Sequence, residues 1–145
     1  MLKGIPKVLT PEMLKILCEM GHDDEIVIAD AHFPAEAMGK RVIQYPCISA
    51  PEMVEAIVKV MPLDTYVKAP IMVMSLVQSD IDKGMPIPTM WEEVLLVPVR
   101  LRDSRCSSEN MSGLNFMSMP RKPTQLYRRA RNGNMAILCC VRVLC

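Results

Sequence analysis

The densest polar cluster of the chain is Gly21-His22-Asp23-Asp24-Glu25, followed shortly by Asp30-Ala31-His32. An imidazole with an unperturbed pKa of about 6.5 gives or takes a proton near neutrality. General acid–base catalysis needs such a group. An ionised carboxylate accepts hydrogen bonds only, so it can orient an imidazole or grip sugar hydroxyls. His22 and Asp30 are therefore the candidate pair. Each also has a plainer reading. A lone histidine in a turn is more often solvated or capping, and a lone aspartate at a strand end more often serves the turn itself. Asp23-Asp24-Glu25 reads as a solvated turn. His22, His32 and these acids match no recognised metal-ligand spacing, so no metal is expected. Gly-rich phosphate loops and Gly-x-Ser-x-Gly elbows are absent from the sequence.

The elements that must position this pair follow from local signals. Thr10-Pro11-Glu12 is a helix start, with a hydroxyl N-cap, proline at N1 and an acid in the first turn. Leu14, Leu17 and Cys18 then fall on one expected face, and Gly21 sits where a C-cap glycine belongs. Glu25 to Asp30 (EIVIAD) reads as a buried strand that Phe33-Pro34 breaks. His22 thus lies in a helix–strand turn and Asp30 at the far end of the strand. Arg41 to Gln44 is a second strand. Ser49-Ala50-Pro51-Glu52 is a capping box opening a helix over Met53, Ile57 and Val60. Ile71 to Val77 is a third strand, Ser79 to Pro88 a loop, and Thr89-Met90-Trp91-Glu92-Glu93 a further helix start. This alternation predicts a single three-layer α/β domain with a mainly parallel or mixed sheet, whose sites form at strand ends. Met13, Met53, Met61, Met72 and Met74 are core fillers.

Composition narrows the class. At 145 residues and 50% hydrophobic, the chain fits one ordinary domain with a real core. A net charge of +1 favours neither nucleic acid nor an anionic membrane as partner. The longest apolar runs, such as Ala69 to Met74, are far short of a membrane span. No signal peptide is visible. None of the six cysteines forms a Cys-x-x-Cys pair, and their usage suggests reduced, cytoplasmic thiols. The two ends differ, however. Residues 1–90 carry seven Lys, one Arg and twelve acids; residues 91–145 carry one Lys, eight Arg and four acids. Periodicity also fails after Val94. A basic tail from Arg100 to Arg142 would suit a non-catalytic module that binds RNA or an acidic partner.

The string from Met20 to Pro34, MGHDDEIVIADAHFP, resembles the signature of the L-fucose mutarotases, relatives of the D-ribose pyranases. The opening Leu2-Lys3-Gly4-Ile5-Pro6, the helix from Leu9 to Glu19, and Pro62-Leu63-Asp64-Thr65-Tyr66-Val67 match as well. The likeness covers residues 1 to about 93, and His32-Phe33-Pro34 favours the fucose branch. It implies an enzyme that interconverts sugar anomers without metal or cofactor. It also implies His22 as the acid–base residue, Asp30 as a sugar-binding residue, and sites built between subunits of a homo-oligomer. L-fucose is the expected substrate and D-ribose the alternative; no nucleic acid or membrane partner is expected.

The resemblance then stops. The family continues with a helix of the Arg-x-x-x-Phe-Tyr-Glu-Arg-Ala type and a Tyr-Gly-Asn motif, and neither is present; Asn132-Gly133-Asn134 lacks the tyrosine. Back-translation is informative. Codons permitted for Glu109 to Phe116, read from the third base, give KYERLEF. The same offset permits YEHAKKAYAVV from Met117 to Tyr127, PTGEKRQYGNIM from Arg128 to Leu138, and LCKG beyond. This resembles the family's missing part, in order and in one frame. The expectation is an incomplete mutarotase-like domain over 1–93 and a divergent, frame-shifted basic tail over 94–145. The fold's C-terminal part would then be lacking or disordered, and an inactive truncated paralogue is the further alternative.

Overall fold

The computed structural model describes residues 2–21, 24–30, 33–38, 41–64, 70–74, 76, 78–86, 89–101, 116–117, 125–130 and 139–142. Helix α1 spans Pro11–Glu19. Its N-cap, Thr10, accepts a hydrogen bond from the Met13 N–H at 3.3 Å, and the Thr10 hydroxyl also receives the Tyr45 O–H at 2.8 Å. Met13, Ile16, Leu17 and Met20 are buried, an i, i+3, i+4, i+7 stripe. The expected face is therefore turned slightly: Leu14 packs only partly and Cys18 is exposed. Gly21 is not the cap. Met20 takes that place in extended conformation, with its N–H bonded to the Ile16 carbonyl, so the chain leaves the helix without a left-handed residue.

Strand β1 (Glu25–Ala29), helix α2 (Ala35–Met38), strand β2 (Val42–Pro46), helix α3 (Ala50–Val60) and strand β3 (Ile71–Met74) follow. Ser49 caps α3 by accepting the Glu52 N–H at 3.3 Å. The expected second strand starts and ends slightly later than its sequence signal. Ser79 to Pro88 is not all loop: α4 (Gln78–Asp82) begins it, tied by the Gln78 side chain to Asp82 at 2.8 Å. That i, i+4 pair outweighs the turn residues that follow it. Helices α5 (Thr89–Leu95) and α6 (Val97–Arg100) come next, then the short strands β4 (Phe116–Met117), β5 (Gln125–Ala130) and β6 (Cys139–Arg142).

The six strands run in the order β2-β5-β1-β6-β3-β4. β1 and β2 each lie parallel to β5, β3 lies parallel to β4, and β6 runs antiparallel between β1 and β3. Among the described residues, β1, β2 and β3 never pair with one another. Every ladder includes a strand from beyond residue 94. The expectation of a lacking or disordered C-terminal part therefore meets three strands there, two of them filling the slots beside β1.

Successive residues of β1 alternate between two cores. Ile26 and Ile28 join Met13, Met53, Ile57, Leu63, Val73, Trp91 and Val94 beneath the longer helices. Val27 and Ala29 join Phe33 and Ala35 in a smaller cluster, flanked by half-buried Val42, Met72 and Met74. Of the five methionines expected inside, three are buried and the two on β3 are half-buried.

Candidate active site

Asp30 directly follows β1, at the carboxyl end of a central strand. There, strands of a largely parallel sheet open onto loops and ligands bind. Its side chain is 8% exposed. Oδ1 accepts the Phe33 N–H at 3.1 Å, and its own carbonyl accepts the same N–H at 3.4 Å. Buried Phe33 then passes into α2, its carbonyl accepting the Ala35 N–H at 2.7 Å. This is an aspartate closing a turn over its own backbone, so the plainer reading of Asp30 holds as geometry. The turn also fixes the carboxylate at the rim of the sheet.

On the other side of β1, Gly21 and Asp24 grip each other twice. The Gly21 N–H donates to Asp24 Oδ2 at 2.8 Å, and the Asp24 N–H donates to the Gly21 carbonyl at 3.1 Å. These two bonds close the span that contains His22. His22, Asp23 and His32 themselves lie outside the described residues. The sequence signals pointed to His22 and passed over Asp24, whose carboxylate looked merely solvated; a short polar side chain three residues beyond a glycine was the available cue.

Two other features bear on chemistry. Asp64 is 1% exposed, the second buried acid of the described residues, and it follows α3 on the way back to the start of β3. A groove of about 340 Å³ lies between α1 and β2, lined by Glu12, Lys15, Ile16, Glu19, Arg41, Val42 and Ile43. Arg41 donates to Glu19 across it and this hydrogen bond holds that carboxyl below its usual range, opposed by desolvation and helped by the charges of Arg41 and Lys15. Asp30 is not part of this groove. No cluster of three metal-capable side chains occurs among the described residues, and no described helix is long and apolar enough to cross a membrane.

A buried aspartate at the carboxyl end of a central strand stands where α/β sheets open onto their loops; the Gly21–Asp24 turn closes the amino end of the same strand. The chain belongs to the RbsD / FucU transport protein family, whose pattern matches residues 3–136. It is 49% identical over 100 residues to the fucose mutarotase of Mus musculus, a match spanning 66% of this chain and 65% of that protein. It is 52% identical over 80 residues to an L-fucose mutarotase of Haemophilus influenzae, covering 55% and 56% of the two chains. The match thus spans less than two-thirds of the length of these relatives. Two solved structures resemble the fold over 99% of both chains. FucU of Bifidobacterium longum has a TM-score of 0.78 at 31% identity. A fucose mutarotase of Streptococcus pneumoniae, solved with L-fucose, has a TM-score of 0.75 at 26% identity.

Proposed function

We propose that residues 1–93 carry the site of a sugar mutarotase that interconverts the α and β anomers of L-fucose. The likeness to the mouse and Haemophilus mutarotases carries this reading, and the burial of Asp30 at the carboxyl end of a central strand is in keeping with it. Opening the sugar hemiacetal takes a proton from the anomeric hydroxyl and delivers one to the ring oxygen. The freed C1 carbonyl turns over, and the ring closes on its other face. His22 performs the proton transfers, and Asp30 holds sugar hydroxyls as an acceptor. The reaction breaks and re-forms one C–O bond with proton transfers and no change of oxidation state, and the reading assigns it neither metal nor cofactor. D-ribose is the alternative substrate. The domain is read as three layers about a mixed sheet, acting in the cytoplasm as a homo-oligomer with sites between subunits.

Magnetisation-exchange NMR of L-fucose tests the reading. Two chains are compared: the present one, and one whose tail follows the second frame described above. The second chain is expected to accelerate α/β exchange, and His22→Ala to abolish the acceleration. The present chain is expected to show weak exchange or none, the behaviour of a damaged paralogue. Absence of exchange in the second chain overturns the function; near-normal exchange in the present chain overturns the claim that its tail impairs it.

A further inference from the structure

The slot between β1 and β2 is the most demanding position in this sheet. β5 fills it, in register with Ile26, Val27, Ile28 and Ala29 on one side and with Val42 to Pro46 on the other. The neighbours on β1 are almost wholly buried, and they alternate between two separate cores. A strand in such a slot, covered on both faces, is ordinarily a continuous run of Val, Ile and Leu. The chain supplies Gln-Leu-Tyr-Arg-Arg-Ala. Arg128 falls in register with Ala29 and Gln44, and Arg129 with Tyr45. Two consecutive arginines thus stand in the sequence of a strand whose slot ordinarily holds an apolar run.

The genetic code offers a different start to this strand at the nucleotides of Thr124 to Tyr127. Read from the third base, Gln125 and Leu126 can specify only Thr, Ala, Ile or Val, whichever synonymous codons are used. Leu126 and Tyr127 can specify only Leu, Ile or Val. The preceding Thr124–Gln125 junction specifies Ser, Pro, Thr or Ala. The second frame therefore places uncharged residues at the start of this strand under every codon choice, with Ile or Val open to both of its first two positions. Over Cys139–Arg142 both frames can supply an apolar start, so β6 does not discriminate.

We infer that the segment coding for residues beyond about 109 holds, in a second reading frame, the central strand for which the sheet of β1, β2 and β3 is built. The present tail occupies the place of that strand without its side-chain character. The frame changes between codons 93 and 109, the interval in which the helical pattern of α5 gives way.

Amide hydrogen exchange on both full chains tests this without reference to catalysis. The second-frame chain is expected to be soluble, to unfold cooperatively, and to protect the amides of Ile26 to Ala29 at least a hundredfold more than the present chain does. Equal protection in the two chains overturns the inference. So does failure of both to fold, because the tail's frame would then not be what the sheet lacks. The readout is protection and not turnover, so a folded second-frame chain that leaves L-fucose exchange unchanged would overturn the mutarotase reading and leave this inference standing.

Discussion

Asp24 takes part in two bonds that tie it to Gly21 across the position of His22 in the sequence, one of them through its carboxylate. Asp24→Ala removes a charge-assisted acceptor from a part-buried backbone donor, which costs about 1 kcal/mol; a lowered urea midpoint with unchanged slope is the expected result. Asp24→Asn keeps an acceptor and should lose less. Glu19 makes a different kind of contribution. Its pairing with Arg41 lowers its pKa, so the stabilisation is present above the unfolded carboxyl value and is lost as pH falls through the folded one. Arg41→Gln should raise the Glu19 midpoint in a carboxyl ¹³C titration, leaving a shallower acid loss of stability. At this scale the sequence was informative about type and less so about role. Asp30 stands at the strand end as read, yet what it visibly does is close a turn.

The helices begin where hydroxyl, proline and acid coincide, because those residues satisfy the first N–H groups locally and need no tertiary help. That is why Thr10 and Ser49 were legible as caps. Ser49→Ala should cost about 1 kcal/mol. Thr10→Ala should cost more, since the same hydroxyl also receives the buried Tyr45 O–H; thermal unfolding of both variants gives the order. Met53 lies wholly buried in the larger core, so Met53→Ala should cost 2–5 kcal/mol, depending on how far the site collapses. Other elements were hidden. The α1 face was displaced because Met13 and Met20, not Leu14 and Cys18, complete its stripe. α4 was masked by the turn residues behind it. β4 to β6 left no periodic signal at all, because their places are fixed by pairing with β1, β2 and β3 and not by their own side chains.

Among the described residues, an N-terminal part supplies the side chains of both cores, and strands beyond residue 115 pair with it. The central strand lacks the continuous Val, Ile and Leu run that a slot between two apolar cores ordinarily holds, which weakens the cover of those cores against water. The present chain should therefore self-associate, with light scattering that rises steeply with concentration; a monodisperse monomer at high concentration would contradict this. Deleting residues 94–145 should make the association worse, since it strips partners from both sides of β1.

The interleaved strand order also governs how the chain can be made. When β3 leaves the ribosome, no two of the strands already synthesised are destined to touch. Helices and a loose apolar cluster can gather early, but no ladder can close until the strands beyond residue 115 have been translated. Sheet formation thus waits on long-range loop closures. A nascent chain of this design waits exposed, so its dependence on chaperones is set by topology, and an early stop codon removes the fold along with the tail.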